Sequence, residues 1–333
     1  MQKFYQLPRE EKLKIFEQVS ARTGLPTYAI QKDWWVVQTL RIIFGMDLAK
    51  YLVFKGGTSL SKAWNLIDRF SEDVDLALDK TVLGIDEVQT KKQVRKLRSK
   101  SKEFITNTFY LLLVEGFAEA GFGETKINIL EETANDPLSI TINYPYIMKY
   151  TGYIDPRLLI EIGSRSLKKP FSERTITSFV TEQLPKQDFT DKPIKVATAS
   201  PERTFLEKIF LLHEEFQKEE IRINRLSRHL YDIERMMDLS FGKAALSDPE
   251  LYQTIVQHRK LFFSVSSVDY NLHQPQTINL IPPDNLLKEW EKDYKELSES
   301  MIYGEKLSWG KLLVRIKELM NRINKLDFKI ELE

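Results

Sequence analysis

The spacing of apolar residues changes near residue 200, and this change limits the possible folds more than any single motif does. Before it, several short runs with the two-residue period of half-buried strands surround a few helical stretches. Beyond Ser200 apolar residues recur at intervals of three and four through 202–216, 221–239, 249–262, 285–299 and 308–326, with breaks at Gly242 and Pro282-Pro283. The expected class is α+β, with a mixed unit over residues 1–199 and a helical domain over 200–333. The 333 residues suit one large domain or two modest ones.

Within the first unit the pattern predicts a helical pair at 8–22 and 27–44, the latter carrying Trp34, Trp35, Leu40 and Ile43 at helical spacing. A short apolar run at 51–54 ends at Gly56-Gly57, and 58–67 then turns helical. Residues 71–78 alternate, with Val74, Leu76 and Leu78 on one face and Asp73, Asp75 and Ala77 on the other. A long helix is expected over 87–121, and further strands over 125–130, 138–144, 157–163, 175–180 and 194–199.

Composition removes several classes of chemistry. With no cysteine there is no thiol nucleophile, thiolate zinc site, iron–sulfur cluster or disulfide framework, as befits a reducing cytoplasm. His213, His229, His258 and His273 lack HExxH or other metal-ligand spacing, and no serine sits in a G-x-S-x-G elbow. Forty-nine basic residues against 48 acidic ones leave a formal charge of +1, so any hold on nucleic acid must come from local clustering. No stretch reaches the length of a membrane span and no signal peptide opens the chain, so a soluble cytoplasmic protein is expected.

The residues that remain favour phosphoryl chemistry. Asp73 and Asp75, two apart on a strand, place both carboxylates on one face about 7 Å apart, where they repel without a cation. Hard oxygen ligands of this kind suit Mg²⁺, which keeps waters and completes its shell with substrate phosphates. Gly56-Gly57-Thr58-Ser59 precedes Asp73 at a strand-to-helix junction, where unsatisfied N–H groups and hydroxyls accept anions. It is not a Walker A loop, since Lys62 follows a serine inside the predicted helix. Glu161, opposite Leu158, Ile160 and Ile162, is a third acid, and three acids on one sheet face suit two metals. Each feature also has a plainer reading as a solvated strand face or a capped turn.

In the helical half, Ser200-Pro201-Glu202 is a good helix start, Lys208 lies on that helix, and Arg222, Arg225, His229 and Asp232 follow helical spacing as one polar stripe. Lys91 to Lys102 holds seven basic residues and no acid, with 91, 95, 98 and 102 on one helical face, a footprint suited to RNA phosphates.

Lys55-Gly-Gly-Thr-Ser-Leu-Ser-Lys62 followed by Arg69-Phe-Ser-Glu-Asp-Val-Asp-Leu-Ala77 resembles the first two motifs of the AbiEii/AbiGii toxin family of nucleotidyltransferases. Ser200-Pro-Glu-Arg-Thr-Phe-Leu-Glu-Lys208 resembles its third motif and Tyr231-Asp232-Ile233 its fourth, so the likeness spans residues 55–233 in order. The resemblance implies a polymerase-β-like core with a mixed sheet, Mg²⁺, a nucleoside triphosphate donor, a type IV toxin–antitoxin setting with a cognate antitoxin, and a tRNA 3′ end as acceptor. It implies that Gly56, Gly57, Thr58, Ser59 and Lys62 bind the triphosphate, Asp73 and Asp75 the metal, and Lys208 the nucleotide, with Asp232 completing the pocket. Glu161 joins the metal ligands by the general three-acid architecture. Transfer to a protein or small-molecule acceptor, and a non-catalytic nucleotide- or RNA-binding regulator, are the alternatives.

Overall fold

The computed structural model describes residues 2–130, 136–148 and 156–332. The chain divides into two compact units, one of residues 1–64 and 70–199, the other of 65–69 and 200–333.

The first unit runs α1 (Gln2–Gln6), α2 (Arg9–Thr23), α3 (Thr27–Gly45), β1 (Leu52–Lys55), α4 (Gly56–Lys62), β2 (Val74–Leu78), α5 (Lys91–Phe104), α6 (Tyr110–Glu119), β3 (Lys126–Ile129), β4 (Leu138–Asn143), β5 (Arg157–Gly163), β6 (Phe171–Ile176), α7 (Phe179–Gln183) and β7 (Ile194–Ala199). Its strands form one seven-stranded mixed sheet in the order β3-β4-β5-β2-β1-β7-β6. β1 pairs antiparallel with β2 and parallel with β7, while β2 and β5 run parallel. In the central strands, period-two patterning puts Phe54, Leu76, Ile162 and Leu138 in one buried row. Val74, Ile160 and Ile140 form the next row on that face.

α3 is buried on every side from Ala29 to Leu40, so its polar residues must find partners inside the protein. They do. Lys32 Nζ meets Glu72 at 2.6 Å, Asp33 pairs with Lys62 at 2.9 Å and accepts the Phe179 N–H at 2.7 Å, and Gln38 donates to Asp191 at 2.5 Å. Trp34 and Trp35 pack edge to face with centroids 5.0 Å apart, and Trp35 stacks on Tyr144. α5 opens on a capping box in which Thr90 and Gln93 satisfy each other's backbone N–H groups. A π-helical turn over Ile105–Phe109 joins α5 to α6 in place of one regular long helix.

The second unit comprises α8 (Pro201–Glu215), α9 (Ser227–Met236), α10 (Ser240–Leu246), α11 (Pro249–Phe262), α12 (Leu287–Ser300) and α13 (Trp309–Asn324). Ser200 caps α8 by accepting the Arg203 N–H, with Pro201 in the first turn. Segment 65–69 attaches here: Asp68 O accepts from the N–H groups of Tyr303 and Gly304, and Arg69 bridges to Ile302.

Three expectations from the pattern are corrected. Residues 175–180 are not a strand: β6 ends at Ile176, and Ser178 caps α7 by accepting the Thr181 N–H. β6 itself escaped notice because all but its last residue are exposed, so it has no buried face to imprint an alternation. Residues 221–226 are not helical, since Arg225 sits at φ 61° and the Asp293 carboxylate takes the N–H groups of Arg225 and Ser227, starting α9 only at Ser227. Arg222 and Arg225 therefore share no helical stripe with His229 and Asp232. Gly242 lies inside α10 and breaks nothing. It marks a close approach, where a Cβ would sit 2.3 Å from the Met236 carbonyl oxygen.

α8 also carries a buried charge network that contributes to the pH response of the helical unit. Glu214 binds the Arg259 guanidinium through both oxygens, at 2.5 and 2.7 Å, with His273 Nε2 at 3.3 Å from Oε1. Burial opposes ionisation of Glu214, but Arg259 and His273 outweigh it and hold the carboxyl down at about 2. Neighbouring His213 accepts the Asn279 N–H at Nδ1, and its burial and the nearby His273 push the imidazole down to about 4. Both groups bind protons more weakly folded than unfolded, so their stabilisation is present at neutral pH and is lost as pH falls. For His213 the loss runs from about pH 6.5 to 4, and for Glu214 from about 4.5 to 2. Urea titrations should show stability falling by on the order of 2 kcal/mol between pH 7 and 4. The variant His213→Gln, which keeps an acceptor for Asn279, should flatten that slope. An unchanged slope in the variant would rule out His213 as its source.

Candidate functional site

The register of the sheet brings charged side chains into one row. Lys55 of β1 pairs with Asp75 of β2, Asp75 pairs with Glu161 of β5, and Glu161 pairs with Ser139 of β4. Directly paired residues point to the same face, so these four lie side by side, each about 4.5–5.5 Å from the next at Cα. Asp73 stands just ahead of β2, outside the paired strand. Asp73, Asp75 and Glu161 are all half-buried, and Asp75 and Glu161 lie on the side opposite the Phe54–Leu76–Ile162 row.

The glycine turn adjoins this row. Gly56 opens α4 at φ 76°, a conformation that costs any other residue strain, and a Cβ there would stand 2.0 Å from Asp75 Oδ2. The Asp75 carboxylate therefore rests directly against the first turn of α4, whose N-cap residue, Lys55, offers no side-chain cap. Gly57 follows in the same turn. Thr58 and Ser59 are buried and make internal bonds: the Thr58 hydroxyl donates to the Asp73 carbonyl at 2.5 Å, and the Ser59 hydroxyl donates to the Gly56 carbonyl at 2.8 Å. These hydroxyls fix the turn against the acidic strand.

Lys62 turns elsewhere. Its ammonium is committed to Asp33 at 2.9 Å, to Glu182 at 3.5 Å and to the face of Phe179 at 3.9 Å from the ring centroid. The adjacent pair, Lys32 with Glu72, pins the residue immediately before Asp73. α3 thus holds both the end of the glycine helix and the entry to the acidic strand. The sequence offered one sign of this arrangement: a Lys-Asp pair set directly against the apolar run Trp34 to Val37.

In the helical unit, Lys208 and Asp232 meet at 2.8 Å. Asp232 also binds Arg69 in a two-toothed pair at 2.7 and 2.8 Å, and Lys208 Nζ lies 3.3 Å from His229 Nδ1. An ammonium only donates, so His229 accepts at Nδ1. Burial, then Lys208 and Arg228, drive the imidazole well below its ordinary range and keep it neutral. Burial lowers Lys208 as well, partly offset by Asp232. Asp232 is fully buried, yet Arg69 and Lys208 outweigh the burial and hold its carboxyl far below the usual range. Two cations share one carboxylate. Sequence spacing could not reveal Arg69, which lies 163 residues from its partner.

Among the described residues no group of three or more His, Cys, Asp or Glu side chains closes around a common point as a metal cage. The acidic row nevertheless fits Mg²⁺, because its donors are carboxylate oxygens and this ion needs one or two of them, with waters and substrate phosphates supplying the rest.

Gly56→Ala should cost about 1–3 kcal/mol in urea unfolding, since it adds positive-φ strain and displaces the Asp75 carboxylate. Gly24→Ala is the matched control: φ is 74° there, with nothing within 4 Å of the added Cβ. It should pay the backbone strain alone. Equal costs at the two positions would contradict the contact with Asp75.

A search of curated proteins found no match to the sequence. A protein-family model described as "Nucleotidyl transferase AbiEii toxin, Type IV TA system" matches residues 41–318.

Proposed function

The chain belongs to the AbiEii family of nucleotidyl transferase toxins of type IV toxin–antitoxin systems, and from that membership we propose that it transfers a nucleoside monophosphate from an NTP to the terminal hydroxyl of an RNA, a tRNA 3′ end, releasing pyrophosphate. The observation that carries this reading is the contact of the Asp75 carboxylate with the Gly56 turn, in register with Glu161. An acid row beside a glycine-opened helix supports a polymerase-β-like core in the mixed sheet. The family also implies a cognate antitoxin.

Asp73, Asp75 and Glu161 would hold Mg²⁺. Bound there, the ion supplies charge neutralisation on the triphosphate and eases ionisation of the acceptor hydroxyl. The backbone N–H groups of Gly56 and Gly57, at the start of α4, would meet phosphate oxygens, and the buried hydroxyls of Thr58 and Ser59 keep that turn rigid. Glu161 takes the proton of the acceptor hydroxyl at a carboxylate oxygen. The acceptor oxygen then bonds to the α-phosphorus while the bond to the bridging oxygen of the pyrophosphate breaks. Lys55, paired across from Asp75, adds a positive charge beside the row and limits the repulsion among its acids.

The test is transfer from each of four α-³²P-labelled NTPs to total RNA, with protein and small-molecule acceptors run in parallel. Wild type should label RNA, and Asp75→Asn and Glu161→Gln should each lower the rate by at least about 100-fold while leaving the urea midpoint within 0.5 M of wild type. Label confined to protein or small molecules would refute the RNA acceptor. Undiminished labelling by both variants would refute the site.

A further inference from the structure

The outward face of α5 is a dense positive patch on a nearly neutral chain. Lys91, Lys92, Arg95 and Lys96 are all exposed, and none has a hydrogen bond or acid partner among the described residues. Arg98 continues the face half-buried, and its Nε has no hydrogen-bond partner. The inner face is different: Val94, Leu97 and Ser101 are buried, so the cations are excluded from the interior by the amphipathic pattern. The acids nearest in sequence, Asp86, Glu87 and Glu103, lie beyond or near the two ends of this run.

Four to five like charges over about a turn and a half repel one another, and the helix gains nothing from them as a structural element. On α13, by contrast, Arg315 and Arg322 are paired with Asp238 and Glu318. With 49 basic against 48 acidic residues, such a patch is a local departure from balance. A partner that neutralises it must itself carry closely repeated negative charge.

Position links the patch to the acidic row. The Ser101 hydroxyl donates to Asp136, and Asp136 also accepts the Ser164 N–H at 3.0 Å. Ser164 follows Glu161 by three residues, about 10 Å along the strand. The basic helix is therefore moored to the strand that bears a proposed catalytic acid. We infer that the Lys91–Arg95 and Lys92–Lys96 face of α5 is the docking surface for the phosphodiester backbone of the acceptor RNA. This inference rests on the RNA-directed reading of the acidic row and adds the surface that holds the acceptor. Contacts of this kind are to phosphates, carry no base preference and are salt-sensitive.

The experiment measures binding of fluorescein-labelled unfractionated tRNA to the full chain by anisotropy between 50 and 200 mM KCl, with EDTA present. Wild type is compared with K91Q/K92Q/R95Q/K96Q and with a control that removes four exposed charges from the helical unit, K288Q/K292Q/K311Q/K317Q. The α5 variant should bind at least about 30-fold more weakly at 100 mM KCl. Its plot of log K against log[KCl] should be shallower by about three, since each lost phosphate contact removes roughly 0.7–0.9 of slope. Turnover at saturating RNA should be unchanged and KM raised. A Kd and slope within twofold of wild type, an equal loss in the control, or poly-glutamate displacing RNA charge for charge would each overturn the inference. Wild-type label transfer to RNA with unaltered binding by the α5 variant would overturn the surface and leave the transferase reading standing. Loss of slope in the variant without label transfer by wild type would uphold the surface and refute the transferase reading.

Discussion

Two consecutive charges on α3 hold the candidate site together. Lys32 and Asp33 are buried in the middle of an apolar helix, and each is tolerable there only because a partner comes to it. Glu72 brings the entry of the acidic strand, and Lys62 brings the last turn of the glycine helix. Such pairs contribute little net stability, because desolvation offsets their attraction, yet removing one partner leaves an uncompensated buried charge costing about 3–5 kcal/mol. Their main effect is positional: α4 and β2 are fixed to one scaffold. The bond from Thr58 to the Asp73 carbonyl repeats the connection from the other side.

Given that scaffold, the sheet does the rest. A parallel pairing of β2 with β5 sets Asp75 beside Glu161, and the antiparallel pairing with β1 sets Lys55 on the other flank. A slip of one residue would bury the acids and expose Leu76 and Ile162 instead, so the apolar face enforces the register of the polar one. Gly56 is the one position where both constraints meet, since its positive φ turns the chain and its missing side chain admits the Asp75 carboxylate.

Much of this was legible in the order of residues wherever a local period or a local cap decides the structure. β5 and α11 run over the residues their apolar spacing indicates, while Asp73 falls just ahead of the strand that its alternation with Asp75 suggests. What escaped depends on partners far along the chain. Lys62 reads as a candidate phosphate ligand until Asp33, 29 positions earlier, claims it. Arg222 and Arg225 read as part of a helix until Glu215 and Asp293 bind their backbone and end that possibility. The pairing of Arg69 with Asp232 leaves no local signal, because it is a property of the folded unit. β6 was missed for the opposite reason, having too little burial to leave a pattern.

The central claim is that neighbouring carboxylates on β2 and β5 act together on a divalent ion and a nucleotide. Electron paramagnetic resonance of Mn²⁺, titrated into the protein with an α,β-methylene NTP that cannot be cleaved, measures that cooperation without any acceptor present. Nucleotide-dependent Mn²⁺ binding by wild type, abolished in Asp75→Asn and Glu161→Gln alike, is the expected result. Binding of equal strength in all three proteins would place the ion elsewhere and contradict the account.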